Sequence, residues 1–277
     1  MKHLLMCFHC FLVLCPAVCV AQACHWEYDR SNSIRLHEAI SVPEGYQRPE
    51  ADTGSFAHWL RSLPVRTGEH SVRLYNGALK ANQSAHWAVL DIDVGNRDLQ
   101  QCADAVMRLR AEYLYSRAEY DSIRFCFTSG DTASYRQWMS GFRPVVNGSD
   151  VRWEKKAQPD SSYGSFRQYL NVIFTYAGSY SLSKELLRVD DIRQIRIGDI
   201  FIQGGFPGHA VMVLDVAVNR ESGDVVFLVA QSYMPAQDMH VLRNPSDSRL
   251  SPWYSVGFGD TLVTPEWTFG RRDLKRF

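Results

Sequence analysis

The sequence predicts an α+β fold: a cysteine-led helix with an apolar face to bury, a run of strands that includes an antiparallel hairpin, and insertions between them. Three observations predict it. From Asn96 to Tyr115 a helix-start signal runs into apolar residues at helical spacing. From Gly198 onward the texture becomes alternating, β-branched runs separated by turn residues. Between them, around 130–195, short strand and helix signals mix with polar Pro, Gly, Asn and Ser, as an insertion would. The expected organisation is a signal peptide over 1–23 and a single α+β domain over 24–277 that carries this insertion.

The start of the chain sets the compartment. Lys2, an apolar run from Leu4 to Val20 and Ala21-Gln22-Ala23 before Cys24 have the three parts of a secretory signal peptide. Export to the periplasm or cell envelope is the expectation. Cleavage after Ala23 suits the Ala-x-Ala ending, but Cys24 also stands where an acylated lipoprotein cysteine would stand, which makes it the lipidation candidate. Four of the 7 cysteines precede it, so Cys24, Cys102 and Cys126 remain. A Cys102–Cys126 disulfide is the plain structural alternative to a reactive thiol, while Cys126, inside Ser122 to Thr128, reads as an inert thiol in a buried strand.

Composition excludes some partners. With 45% hydrophobic residues over 277 positions the chain can bury a sizeable core, and Lys+Arg 30 against Asp+Glu 30 leaves no basic footprint for nucleic acid. A membrane is expected as partner only through an anchor at Cys24. No His/Asp/Glu cluster has ligand spacing, so no metal and no cofactor is expected; Asp91 and Asp93, on one face of a strand, read first as solvent-facing.

Taken in order, His25 to Pro49 reads as an extended polar approach. Ser55 to Leu63 is a helix that docks Phe56, Trp59, Leu60 and Leu63, stopped by Pro64, with His58 solvated beside the stripe. Ser71 to Tyr75 and His86 to Val94 read as strands around an Asn76-Gly77 turn, with His86 a reserve site histidine. Asp98 is placed to cap the next helix, with Gln101 three residues on completing a capping box. Cys102 then falls in the first turn, where free N–H groups and the helix dipole favour a thiolate, so its pKa is expected below the ordinary value of about 8.5. Ala105, Val106, Leu109 and Tyr113 supply the buried face, and Arg108 with Glu112 an i,i+4 pair. Thr132 to Met139 and Ser165 to Gly178 read as further helices. Trp253, Tyr254 and Trp267 read as core or rim before they read as a sugar-stacking surface.

The strands from Asp199 carry the second half of the site. A Gly204-Gly205-Phe206-Pro207-Gly208 loop leads into His209 to Val218, and a turn at Glu221-Ser222-Gly223 returns the chain as Asp224 to Tyr233. If Val218 faces Asp224, then Val211 faces Gln231, and His209 and Gln231 share a face as diagonal neighbours. Asp215 shares that face by alternation but lies roughly 20 Å away along the strand, too far to orient the imidazole. A buried amide needs partners, and an imidazole is an apt one.

A thiol at a helix start, a histidine opening a strand and an amide on the partner strand are the parts of a cysteine hydrolase. Cys102 is the candidate nucleophile, His209 the base and then acid, and Gln231 the group that fixes the imidazole. The Cys102 N–H, with the Gln100 or Gln101 side chain, is the candidate oxyanion donor. The order Cys, His, amide, with Gly198-Asp-Ile-Phe-Ile202 and Gly208-His-Ala-Val-Met-Val213, resembles the papain-like fold, especially the NlpC-type cell-wall peptidases. The resemblance implies a helix on an antiparallel sheet and cleavage of amide bonds in peptides or cell-wall fragments. It departs at Ala103-Asp104, where a small Ser-Gly pair would follow the cysteine. Asp98 to Asp104, Arg108 to Leu114, Gly208-His209 and Ala230 to Gln237 also look like an uncharacterised family of exported bacterial proteins, some lipidated, with a domain of unknown function. That family brings no activity with it. The competing expectation is a catalytically silent envelope (lipo)protein that binds a peptide or glycan in the same cleft; thiol reactivity at Cys102 separates the two.

Overall fold

A computed structural model describes residues 24–68 and 70–277; the expected signal peptide lies outside the described residues. The chain is α+β. Its centre is an antiparallel sheet whose strands run, edge to edge, His86–Val89, His240–Leu242, Val225–Gln231, His209–Asn219, Ile200–Gln203, Leu274–Arg276 and Leu187–Arg188. The long His209–Asn219 strand is buried on both faces over most of its length, because each face is covered by a separate layer. Ala210, Met212 and Leu214 pack into the helical layer, while Val211, Val213 and Val216 pack under the chain's C-terminal part with Phe227, Tyr254, Leu262 and Phe269.

The Asp199 to Tyr233 hairpin forms as the alternation requires, with one irregularity. Val218 pairs with Val225 rather than Asp224, and a bulge between Val213 and Asp215 brings the register back so that Met212 faces Ala230. That bulge corrects the expected placing of Asp215. An extra residue leaves Leu214 and Asp215 on the same side, so Asp215 turns to the helical layer and not to the face of His209. There it is fully buried and bound by Arg48 Nε and Arg61 Nε, each at 2.6 Å.

The cysteine helix, Cys102–Ser116, packs on this strand from the helical side. Its cap lies three residues later than expected. Gln101 is the N-cap and Asp104 accepts from the Gln101 N–H at 3.0 Å, while Asp98 accepts instead from Gln101 Nε2 and Ala236 N. Nearly the whole helix is buried, not one stripe of it. The expected i,i+4 pair Arg108–Glu112 forms and is internal: Arg108 is fully enclosed and binds Asp93 Oδ1, Gln100 Oε1 and Glu112 Oε1. Asp93 is exposed, as expected, though it also takes Arg167, while Asp91 is half-buried and bound by Arg66, Ser33 and Asp29 N.

Other elements fall close to their expected places. The docking helix is Phe56–Arg61, capped by Ser55. The Thr132 to Met139 segment is a strand, Thr132–Ser134, followed by a short helix, Tyr135–Met139. A hairpin of Phe142–Asn147 with Asp150–Lys155 follows, and the later helix signal splits into Tyr163–Tyr176 and Ser179–Glu185. Two expectations fail. His25 to Pro49 is not a polar approach, since Trp26, Leu36 and Ile40 are core residues and Ser33–Arg35 pairs with Pro64–Arg66. The His86 strand ends at Val89 and pairs with His240–Leu242 instead of with Ser71 to Tyr75, because two isolated bridges, Arg73 to Leu79 and Leu74 to Gln237, fold the latter segment aside.

Candidate functional site

Two strings of sequence meet to build the site. The backbone before the cysteine helix receives the Ser232 hydroxyl at Gln100 O, 2.9 Å, and Asp98 holds Ala236 N at 2.7 Å. The Asp98 to Cys102 turn is thereby fastened to the loop that follows Gln231. Cys102 and His209 line one cleft with Gln101, Asp104, Tyr233 and Trp267. The backbone N–H groups of Ala210, the residue after His209, of Ala103 and of Cys102 itself act on the thiol in the direction that favours its charged form. No hydrogen bond joins the thiol to the His209 ring among the described residues.

The thiol is not activated in this state. Burial pushes Cys102 up to about 11, the Asp104 carboxyl adds to the rise, and the three N–H groups only partly offset it. This corrects the expected depression: a helix start favours a thiolate, but desolvation at this depth outweighs it. Burial likewise lowers His209 to about 4, against the raising influence of Gln231 and Glu266. The resting pair is a neutral thiol and a neutral imidazole.

Gln231 stands where the hairpin requires, and the hydrogen bonds around it decide every proton nearby. His209 Nε2 and Gln231 Oε1 are 2.8 Å apart. On its other side Gln231 Nε2 donates to Glu266 Oε2 at 2.7 Å and to His240 Nε2 at 3.3 Å. A carboxylate oxygen can only accept, so the amide nitrogen must face Glu266 and the amide oxygen must face His209. His209 therefore carries its proton on Nε2 and keeps its lone pair on Nδ1. By the same logic His240 gives Nδ1–H to the Asp238 carbonyl, 2.8 Å away, and accepts at Nε2. Both amide hydrogens and the amide oxygen are satisfied, in a layer where an unpaired group would cost about 1–3 kcal/mol.

Glu266, His240 and Lys80 were not among the residues that the sequence singled out. Glu266 sits in the tight turn between the strands Thr261–Val263 and Thr268–Gly270, which Thr264 closes through Trp267, and Lys80 meets it at 2.5 Å from a loop far away in the chain. Only the Thr-Pro-Glu-Trp turn signal was available, and it says nothing of direction. Trp267, expected as core or rim, is at the rim, its ring 5.3 Å from that of His209, while Trp253 and Tyr254 are core. Tyr233 and Phe269 complete an aromatic surround, at 4.8 and 6.0 Å from the imidazole.

The oxyanion candidates separate. Gln101 lines the cleft, with Nε2 on Asp98 Oδ1 at 3.1 Å. Gln100 is buried and does not line the cleft; its Oε1 accepts from Arg108 at 2.6 Å, and its Nε2, the donor that an oxyanion would need, has no hydrogen-bond partner among the described residues. The reserve histidine His86 lies behind the site, 6.0 Å from His240 ring to ring. His58 is half-buried rather than solvated. Cys24, Cys102 and Cys126 are all free, which removes the disulfide alternative, and Cys126 is half-buried in a two-stranded ladder rather than in the core. Among the described residues no group of three or more His, Cys, Asp or Glu side chains could hold a metal ion, and no helix is long and apolar enough to cross a membrane.

Residues 36–276 match the family described as domain of unknown function 4846. The chain belongs to that family. No curated protein and no solved structure matches the chain.

Proposed function

We propose that the chain is an exported cysteine amidase or peptidase of papain-like type, acting on amide bonds of peptides or cell-wall fragments. What supports this is the His209–Gln231 hydrogen bond in a cleft that Cys102 also lines, since it engages Nε2 and leaves Nδ1 of a buried imidazole as the free base. In the proposed cycle Cys102 Sγ attacks the carbonyl carbon as its proton passes to His209 Nδ1. Because the resting pair is neutral, proton transfer accompanies attack instead of preceding it. The Cys102 N–H and the Gln101 side chain hold the oxyanion. The imidazolium, stabilised through Gln231 by Glu266, then protonates the leaving amine as the C–N bond breaks. Water, deprotonated by His209, hydrolyses the thioester and returns the proton to sulfur. The papain-like comparison rests on the thiol-led helix, the antiparallel sheet and the order Cys, His, amide.

The signal-like start over 1–23 supports export to the periplasm or cell envelope, and Cys24 is the proposed point of lipid attachment. The test of the activity is turnover of fluorogenic peptide amides and of a cell-wall peptide digest by the purified mature chain. Loss of turnover in Cys102→Ala and a Cys102 acyl adduct in mass spectra are the expected results; turnover that survives Cys102→Ala overturns the proposal.

A second reading is favoured by one specific observation, the thiol raised by burial and not bonded to the imidazole. On that reading the cleft is a silent binding site for a peptide or glycan in an envelope (lipo)protein. Absence of any turnover together with saturable binding of peptide or glycan would establish it.

A further inference from the structure

The mouth of the cleft is unusually apolar for solvent-facing surface. Phe206 is 94% exposed, Met234 67% and Tyr180 38%, and all three line this cleft although they come from the loop before His209, the loop after Gln231 and the Ser179–Glu185 helix. Three of the ten exposed large apolar side chains among the described residues thus converge on one opening. Below them Phe174, Ala177 and Pro207 continue the apolar wall toward Cys102. Gly208 keeps the loop against that wall: a Cβ there would stand 2.3 Å from Ser179 Oγ and 2.6 Å from Gly205 O.

Charge is almost absent from the same surface. Among the described residues no Lys or Arg lines the cleft, and the two nearby lysines are engaged, Lys80 with Glu266 and Lys184 with the Tyr180 hydroxyl at 2.5 Å. The one acid on the wall, Asp104, is buried, so that its carboxyl is raised well above the usual range, and its Oδ1 has no partner. A substrate carboxylate placed here would lose its hydration with no cation to meet it, whereas a ring or branched aliphatic chain would bury apolar area on both sides.

From this we infer that the cleft binds, next to the reacting carbonyl, a bulky uncharged side chain, aromatic or branched aliphatic, and discriminates against acidic cell-wall peptides. The inference rests on Cys102 as the reacting group and names the substrate class of that site.

The test is a binding measurement on Cys102→Ala protein, so that it reads the cleft without the chemistry. Acetyl-Ala-Phe-Ala-amide should bind about tenfold or more tightly than acetyl-Ala-Glu-Ala-amide by calorimetry, the scale at which apolar pockets discriminate. In the double variant Phe206→Ser with Met234→Ser the two affinities should come within about twofold of each other, with the melting midpoint unmoved because both side chains are exposed. Equal affinities, tighter binding of the acidic peptide, binding of neither, or a preference that survives the double variant would each overturn the inference. Adduct formation at Cys102 is scored separately on the unsubstituted chain with the same two sequences as electrophilic peptides. Apolar preference without adduct condemns the nucleophile and leaves the substrate class standing; adduct without preference does the reverse.

Discussion

Gln231 Nε2 donates to Glu266 Oε2 at 2.7 Å, and that bond settles which nitrogen of His209 holds a proton. Glu266 is a positioning residue, acting through the amide. Glu266→Gln keeps its shape but can present oxygen or nitrogen, so the Gln231 amide is free to turn over. Ring-nitrogen spectra of His209 should show the Nε2–H form alone in the parent and a mixture in the variant. Where turnover is measured, kcat should fall about tenfold with KM unmoved, as for other groups that orient a reacting residue. An unchanged tautomer in Glu266→Gln would refute the positioning role.

Gln231→Leu removes the hub itself. His209, His240 and Glu266 each lose a partner, and the cost in unfolding free energy should be about 1–3 kcal/mol for the groups that water cannot reach. The His209 titration should move as well. Turnover should drop by about 10²-fold or more, exceeding what the stability loss explains. A variant with normal His209 titration would show that the hydrogen bond does not govern the ring.

Acid should destabilise the fold through its buried histidines. Burial lowers His209 to about 4 and His240 to about 3, and Lys80, His86 and His209 face His240 as further cationic or titrating groups. Both folded values lie below the unfolded 6.5, so their stabilisation is complete above that pH and is lost as pH falls. Between pH 7 and pH 5 each contributes a loss of about 2 kcal/mol. Asp104 and Glu112, raised by burial, act with the opposite sign, so the difference between parent and variant is the clean measure. Urea unfolding of His240→Asn should lose about 2 kcal/mol less than the parent over that range. Parallel pH profiles would contradict the neutral burial of His240.

Cys102 should alkylate slowly in the empty protein. With the thiol pushed up to about 11, its iodoacetamide rate at pH 7 should be about 10²-fold below that of an unperturbed thiol and should climb steadily to pH 10. A plateau near neutrality would mean that a preformed thiolate exists after all.

Arg108→Leu should be among the most damaging single changes outside the cleft. It leaves the wholly enclosed Glu112 with only the Tyr163 hydroxyl and Asp93 with only Arg167, at about 3–5 kcal/mol by the behaviour of broken internal ion pairs. Thermal unfolding checks it; a midpoint shift of under a few degrees would refute it.

The hairpin and its amide were legible in the sequence because period-two alternation is a local property. Nothing beyond two strands and a turn is needed to bring His209 and Gln231 to one face. The start of the cysteine helix was legible for the same reason, though its cap was placed three residues early: Asp98 and Gln101 have the right types, and the competition from Ala236 N for Asp98 is a tertiary fact. Legibility ended where distant segments supply the partner. Glu266 and Lys80 lie 35 and 151 positions from Gln231, and no pattern in either stretch points at an amide. Cys102 shows the other limit. Helix-end electrostatics can be read from sequence, but the depth of burial that outweighs them depends on which residues cover the helix start, and Tyr233, Met234 and Trp267 come from two later loops.

The bulge at Leu214 sets the rules for changes of length in this strand. Removing that one residue would leave Asp215 opposite Leu228 and Val213 opposite Val229 as consecutive rungs, so each neighbour would keep its layer and only a leucine-sized hole would remain. A deletion anywhere from Ala210 to Val213 has no such slack. It would carry His209 round to the helical layer, away from Gln231, unless the bulge dissolved to absorb it. Single-residue deletions along 210–214 are thus not equivalent: one position acts as an expansion joint.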